Sequence, residues 1–118
     1  MIVTVDPAGA VPPFEQLRTQ ILDQVRTGAL AVGTRLPTIR VLAEELGIAP
    51  NTVARAYREL EQDGVLETRG RNGTFVTAFG DAAQRRVQQE AASLAALVRR
   101  LGVDPREALR LVAAALRD

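Results

Sequence analysis

The sequence predicts a mainly α-helical fold with a small β wing, in which a winged helix-turn-helix domain is followed by a C-terminal helical hairpin. Three observations predict it. Two amphipathic segments are joined by a tight turn at Gly47, two strand-forming runs enclose a glycine-containing turn directly after them, and helical periodicity resumes after Gly80. We therefore expect residues 1–79 to form the first domain and residues 80–118 to form a two-helix dimerisation tail.

The N-terminal residues predict a short strand and one helix. The weak alternation in Ile2 to Val5 is typical of a strand. Pro12 and Pro13 favour a helix start, and Gly28 favours its end. The apolar positions between them recur at three- or four-residue spacing: Phe14, Leu17, Ile21 and Val25. We expect this face, including Phe14, to pack in the core across the back of the helix-turn-helix.

The next two helices are predicted from Pro37 to Leu60. Thr38 is a candidate N-cap, Gly47 suits a left-handed helix end, and Pro50 suits the first turn of the following helix. The core positions of the first helix are Ile39, Leu42, Ala43 and Leu46, and those of the second are Val53, Ala56, Tyr57 and Leu60. In a helix-turn-helix, the second helix enters the major groove of DNA.

The second helix is polarised along its length. Its first turns present Asn51, Thr52, Arg55 and Arg58, whereas the acids Glu59, Glu61 and Asp63 lie in its C-terminal half. Amide and guanidinium groups suit base edges and phosphates. An ordinary surface helix of mixed charge fits the same spacing, so this segment alone leaves both interpretations open.

The residues after the second helix predict a β-hairpin. Val65 to Arg69 and Thr74 to Thr77 are β-prone runs around a turn that contains Gly70, Arg71 and Gly73. Directly after a recognition helix, such a hairpin forms the wing of a winged helix. The small residues at its tip let the backbone approach a minor groove, while Arg71 enters the groove or neutralises phosphate.

The tail predicts two capped helices with an uncovered apolar seam. Asp81 with Gln84 forms a capping box, Gly102 ends the first helix, and Asp104 with Glu107 indicates a second box. The seam of the first helix consists of Val87, Ala91, Leu94, Val98 and Leu101, and the last helix presents Ala108, Leu109, Val112, Ala115 and Leu116. Two such helices cannot hide this seam against each other, so we expect a second copy of the chain to cover it. Docking on the first domain is the alternative.

Composition narrows the function. The chain has no Cys and no His, which argues against disulfides, common zinc sites and thiol or Ser–His catalysis; we expect neither an enzyme nor a cofactor or metal. No apolar run approaches the length of about 18 residues needed for a membrane span, and the N-terminus lacks a signal, so a cytoplasmic protein without membrane contact is expected. With a net charge of +1, any affinity for DNA must come from the local placement of arginines.

The stretch from Gly28 to Val76, GALAVGTRLPTIRVLAEELGIAPNTVARAYRELEQDGVLETRGRNGTFV, resembles the GntR family of bacterial transcriptional regulators. The segment NTVARAYRELEQDGVLETRGRNGTF looks most like its short-tailed, YtrA-like branch. The resemblance implies a DNA-binding surface made of Thr38, Arg40, Asn51, Thr52, Arg55, Arg58, Arg71, Gly73 and Thr74. Larger branches often carry a basic residue before the recognition helix, where this chain has Ala49 and Pro50.

We therefore expect a sequence-specific DNA-binding regulator, a repressor, that acts as a homodimer on a palindromic double-stranded operator. The residues expected at the dimer interface are Val87, Ala91, Leu94, Val98, Leu101, Leu109, Val112 and Leu116. A tail of two helices can hardly enclose a ligand pocket of ~300–1,000 Å³, so a small-molecule effector stays an open question.

The alternative function is a winged-helix adaptor that binds another protein and has no specific affinity for DNA. The two functions differ in the electrostatics of one surface. An arginine face free of acids favours DNA, whereas neutralisation of that face by Glu44 or Glu59 favours the adaptor.

Overall fold

The computed structural model describes residues 1–117 and has the predicted architecture of five helices and a two-stranded wing. The elements, in chain order, are α1 (Pro13–Thr27), α2 (Ile39–Leu46), α3 (Pro50–Gln62), β1 (Leu66–Thr68), β2 (Thr74–Val76), α4 (Ala82–Leu101) and α5 (Pro105–Leu116). A short 3₁₀ turn, Gly70–Asn72, joins the two strands. The prediction of a mainly helical fold with a β wing and a helical hairpin is confirmed.

The hydrophobic core lies entirely in the first domain. Helix α1 packs across α3, α2 packs against α3, and the wing follows α3 directly. The buried side chains are Leu17, Ile21, Val25, Leu30, Leu36, Leu42, Ala43, Val53, Ala56, Tyr57, Leu60, Leu66 and Val76. Within the described part of the chain, no side chain of α4 or α5 joins this core.

The predicted helix boundaries of the helix-turn-helix are confirmed. The Thr38 hydroxyl oxygen accepts a hydrogen bond from the Val41 backbone N–H at 3.3 Å, which satisfies one free donor at the start of α2. Gly47 ends α2 with φ 67°, a left-handed conformation in which a side chain would be strained. Pro50 is the first residue of α3. The turn between the helices is therefore only three residues long.

The wing is anchored to the segment that precedes α2. Strands β1 and β2 are antiparallel, with Leu66 opposite Val76 and Thr68 opposite Thr74. On the other edge of β2, the Leu36 N–H donates to the Thr74 carbonyl at 2.8 Å, and the Val76 N–H donates to the Thr34 carbonyl at 3.0 Å. The connector therefore pairs with the hairpin and fixes the wing relative to the start of α2.

The prediction of a strand at Ile2 to Val5 is wrong, because no neighbouring strand pairs with this segment. The segment is instead held along α1 by glutamine side chains. Gln20 donates to the Thr4 carbonyl at 2.6 Å and accepts from the Thr4 N–H at 2.9 Å. Gln16 bonds in the same two ways to Asp6, and Gln24 donates to the Ile2 carbonyl at 2.7 Å. We call residues 1–6 the N-terminal arm.

Two predicted core positions lie outside the core. Ile39 is 37% exposed because it is the first residue of α2, at the margin of the contact with α3. Phe14 is only half-buried, at the start of α1, and does not belong to the buried cluster. Helical periodicity places both residues on the correct stripe, but it does not show where the neighbouring helix ends.

Helix α4 begins and ends where the sequence predicts, and α5 begins where it predicts. Asp81 and Gln84 form the reciprocal capping box, with each side chain accepting from the other residue's backbone N–H. Asp104 caps α5 through the Arg106 N–H at 2.8 Å, but the expected reciprocal box is not formed. Glu107 instead pairs with Arg110. Of the helices that the structure describes, none is long and apolar enough to span a membrane.

Candidate nucleic-acid interface

The exposed face of α3 carries the polar side chains that the sequence singled out. The buried stripe of α3 faces α1 and α2, and the side opposite that stripe carries Asn51, Arg55 and Arg58, all of which are exposed. Thr52 lies at the flank of this face and is half-buried. The structure thus brings together three of the four α3 residues predicted to contact DNA.

Arg55 is engaged by neighbours in the structure. Its guanidinium carbon lies 3.6 Å from the centroid of the Phe14 ring, and its Nε lies 3.4 Å from Glu59 Oε2. The side chains of Arg55 and Glu59 remain 58% and 36% exposed, so this ion pair is worth less than about 1 kcal/mol. Contact with Glu59 is the arrangement that favours the adaptor alternative, although it involves only one of the arginines on this surface.

The other predicted arginines are not neutralised by acids. Arg40, Arg58 and Arg71 are exposed, and none of them takes part in an ion pair among residues 1–117. Arg40 lies in the first turn of α2, directly after the Thr38 cap. Backbone N–H groups at a helix start and a nearby guanidinium both favour an anion such as phosphate.

Tyr57 connects α3 to the residues that precede α2. Its hydroxyl donates to the Pro37 carbonyl at 2.7 Å, and the side chain is almost fully buried. Burial raises the pKa of the Tyr57 phenol, with a smaller contribution from Glu45, so the group stays a donor across the physiological pH range. This bond links α3 to the residue that directly precedes Thr38.

The wing is tied to α3 by a chain of hydroxyl groups. Thr68 donates to the Glu61 carboxylate on α3, and its Oγ1 lies 3.4 Å from Thr74 Oγ1 on the neighbouring strand. The hydroxyl of Thr74, a predicted DNA contact, therefore already has a partner within the wing. Arg71 sits in the exposed turn between the strands. Arg69 is already engaged within the wing, because it pairs with Glu67 and its guanidinium carbon lies 4.3 Å from the centroid of the Phe75 ring.

Gly73 has a backbone conformation that favours glycine, and it also makes a contact that the sequence did not predict. Its φ is 111°, and a Cβ atom at this position would lie 2.7 Å from the Nε of Arg35. The sequence explained Gly73 by the close approach of the backbone to DNA. The structure gives a second reason, which is that the Arg35 guanidinium packs against the wing turn at this position. Arg35 is exposed and adds a cation to this surface. Sequence reasoning missed it because Arg35 lies in a connector without periodicity.

The predicted dimerisation residues form an apolar surface on the tail. Val87 is 67% exposed and Leu109 is 70% exposed, and Ala91, Leu94, Leu101 and Leu116 are exposed as well. Val98 and Val112 are half-buried, and together with Leu94 they line the open grooves on the two sides of the contact between α4 and α5. The first domain covers little of this surface.

A cleft of about 330 Å³ lies between the end of α1 and helix α4. Its lining is mostly apolar and includes Val25, Leu30, Phe79 and Ala92. The tail does not form this cleft alone, in line with the expectation that two helices hardly enclose a pocket. Its volume is near the lower limit for small-molecule sites.

Comparison with known proteins identifies a matching family and similar transcriptional regulators. Residues 13–76 match the family model described as bacterial regulatory proteins of the gntR family. The chain is 53% identical to the HTH-type transcriptional regulator Rv1152 of Mycobacterium tuberculosis over 108 residues, which are 90% of this chain and 87% of that protein. It is 36% identical to the HTH-type transcriptional repressor YtrA of Bacillus subtilis, over 64% of this chain and 58% of that protein.

Solved structures give the same result. YtrA from Sulfolobus acidocaldarius, a GntR-family transcription factor, superposes with a TM-score of 0.63 at 30% identity, covering 78% of this chain and 97% of that chain. The N-terminal domain of AraR, solved in complex with a mutant of the ORR3 operator, superposes with a TM-score of 0.54 at 25% identity, covering 57% of this chain and 96% of that chain. These proteins are regulators rather than enzymes.

Proposed function

The chain belongs to the GntR family of bacterial regulatory proteins, and on this premise we propose that it is a sequence-specific DNA-binding repressor. In this proposal a homodimer occupies a palindromic operator and blocks transcription by occupancy. The observation that carries the proposal is the exposed face of α3 with its arginines, together with the exposed Arg40 at the start of α2 and the exposed Arg71 in the wing.

Each part of this surface suits a different part of DNA. Helix α3 enters the major groove, where Asn51 pairs with adenine and Arg55 and Arg58 reach guanine or phosphate. Arg40 and Thr38 contact the phosphate backbone beside the groove, and Arg71 extends from the wing to phosphate or the minor groove. The repressor role is supported by the similarity to YtrA of Bacillus subtilis, which is named a repressor.

A homodimer is proposed because a single winged helix offers few basic contacts and binds weakly at physiological salt. The exposed apolar residues of α4 and α5 provide the surface that a second copy would cover. A two-fold axis through this surface would place two α3 helices on half-sites one DNA turn apart, or a multiple of it.

The DNA-binding proposal is tested by selecting bound sequences from random duplexes, then titrating the wild type with a selected duplex and with random DNA. The wild type should bind the selected duplex far more tightly. Arg71→Ala should lower affinity for both DNAs and reduce the salt dependence by about one unit of slope, because one phosphate contact is lost. Arg26→Ala, at the far end of α1, is the charge-matched control and should bind like the wild type.

Equal binding of the wild type to both duplexes would contradict the proposal. It would favour the second candidate, the protein-interaction adaptor, for which the contact between Glu59 and Arg55 is the supporting observation. An unchanged salt slope in Arg71→Ala would remove only the wing from the proposed interface.

The homodimer is tested by Leu94→Glu, which would bury an unpaired charge in the proposed interface at a cost of several kcal/mol. Analytical ultracentrifugation should show a monomer, and affinity for the palindrome should fall. Ser93→Glu introduces the same charge beside the seam and should remain a dimer. A chain ending at Ala78 retains the core and should behave like Leu94→Glu. A dimer in either Leu94→Glu or the chain ending at Ala78 would disprove the role of the tail.

A further inference from the structure

Arg55 is the one arginine of the α3 face whose guanidinium is restrained from two directions by other side chains. The ring of Phe14, from α1, lies against the face of the guanidinium at 3.6 Å. Glu59, one helical turn further along α3, accepts from its Nε–H at 3.4 Å. These contacts involve a residue outside the helix-turn-helix and an acid that would weaken nonspecific attraction to phosphate.

The restraint leaves the base-reading part of the group free. A guanidinium has five N–H donors, and only the Nε–H is directed to Glu59. Stacking on an aromatic ring occupies a flat face of the group and leaves its edges open. The terminal Nη atoms make no other hydrogen bond among the described residues, and the side chain is 58% exposed. The outer edge of Arg55 is therefore available for a bidentate acceptor.

A second carboxylate near Arg55 does not compete for it. Glu15 is paired with Arg18, whose hydrogen bond lowers the pKa of Glu15, and Arg55 contributes only a smaller attraction. Phe14 and Glu59 are thus the groups that determine where the Arg55 guanidinium lies.

We propose that Phe14 and Glu59 orient Arg55 to read a guanine, which makes Phe14 a positioning residue for base specificity although it lies on α1. The inference rests on the proposed function, since it concerns how the same α3 surface recognises DNA. Guanine presents two acceptors, O6 and N7, in the major groove, whereas adenine replaces one of them with a donor. A guanidinium held in one orientation loses less rotamer freedom on binding than a free one, so orientation favours the matching base.

The experiment combines a binding cycle with a base analogue. Phe14→Leu keeps an apolar side chain but removes the ring, and it should weaken binding to the selected duplex about three- to tenfold. Affinity for random duplex DNA should stay unchanged. In an Arg55→Ala background, Phe14→Leu should have no further effect. In the presence of Arg55, Phe14→Tyr should bind as tightly as the wild type because it keeps an aromatic face. A repeated selection with Phe14→Leu should lose the preference for one G·C pair.

A second measurement leaves Phe14 intact and tests whether Arg55 reads a guanine, so it can overturn the inference even if Phe14→Leu is unfolded by circular dichroism. Replacing each guanine of the selected duplex in turn by 7-deazaguanine removes the N7 acceptor. At one position the wild type should lose affinity while Arg55→Ala is insensitive. The inference is overturned if no position shows this difference, or if Phe14→Leu weakens both duplexes equally. In those cases the wild type still distinguishes selected from random DNA, which separates this failure from failure of the proposed function.

Discussion

Replacing Tyr57 by Phe tests how α3 is held to the segment before α2. The substitution keeps the buried ring and removes only the hydroxyl that donates to the Pro37 carbonyl at 2.7 Å. A neutral hydrogen bond of this kind contributes about 1 kcal/mol net, and loss of its donor leaves a half-buried carbonyl without this partner. We expect Tyr57→Phe to lower the free energy of unfolding by about 1–1.5 kcal/mol.

Tyr57 also makes the free energy of unfolding depend on pH, and the composition of the chain allows this dependence to be assigned to Tyr57 alone. The chain has one Tyr, no Cys and no His, and its sequence contains no Lys. Between about pH 9 and pH 11, Tyr57 is therefore the only side chain with an ordinary pKa in range. Burial raises its pKa in the folded state, so the unfolded phenol ionises first. The contribution of Tyr57 to the free energy of unfolding is fully present below about pH 10. It is lost as pH rises further, with a slope approaching about 1.4 kcal/mol per pH unit.

Urea denaturation at a series of pH values measures both effects. The wild type should lose stability above pH ~10, whereas Tyr57→Phe should show a nearly flat profile there. Tyrosinate absorbance reports Tyr57 alone and should show no ionisation in the folded protein near pH 10. The reasoning is refuted if Tyr57→Phe is as stable as the wild type at pH 7, or if the folded wild type forms tyrosinate near pH 10.

Two further substitutions test local features of the interface. Thr38→Ala removes the N-cap of α2 and should cost about 1 kcal/mol in the free energy of unfolding, while Thr38→Ser keeps the hydroxyl and most of the stability; urea denaturation of both variants checks this. Gly73→Ala adds a Cβ where φ is 111° and where Arg35 Nε would lie 2.7 Å away, so thermal unfolding should show a loss of about 1–3 kcal/mol. Adding Arg35→Ala should relieve the clash but leave the backbone strain, and full recovery of stability would contradict this assignment.

The features that the sequence predicted are those that depend on a few neighbouring residues. Gly47, Pro50 and the Asp81–Gln84 box each act within one helical turn, so their chemistry appears directly in the local sequence. The order of helices and strands follows from hydrophobic periodicity in the same way. These signals predicted the fold and the positions of the exposed α3 residues.

The features that the sequence did not predict depend on contacts between residues far apart in the chain. The contact of Phe14 with Arg55 joins α1 to α3, and the packing of Arg35 against Gly73 joins a connector to the wing. Periodicity places Phe14 on the apolar stripe of α1, but only the relative position of two helices shows that its ring meets a guanidinium instead of the core. Partners of this kind become visible only in the folded arrangement.

The N-terminal arm is attached to α1 because every fourth residue of the helix pairs with every second residue of the arm. Glutamines four residues apart on a helix are spaced by about 6.0 Å along its axis, whereas alternate residues of an extended chain are spaced by about 6.6 Å. Across the three glutamines the mismatch grows to about 1.2 Å, which side chains absorb, and a longer series would drift out of phase. Because alternate residues face opposite sides, this register also directs Val3 to the core. A shift of the arm by one residue would turn Val3 away, and a shift by two would restore the pairing.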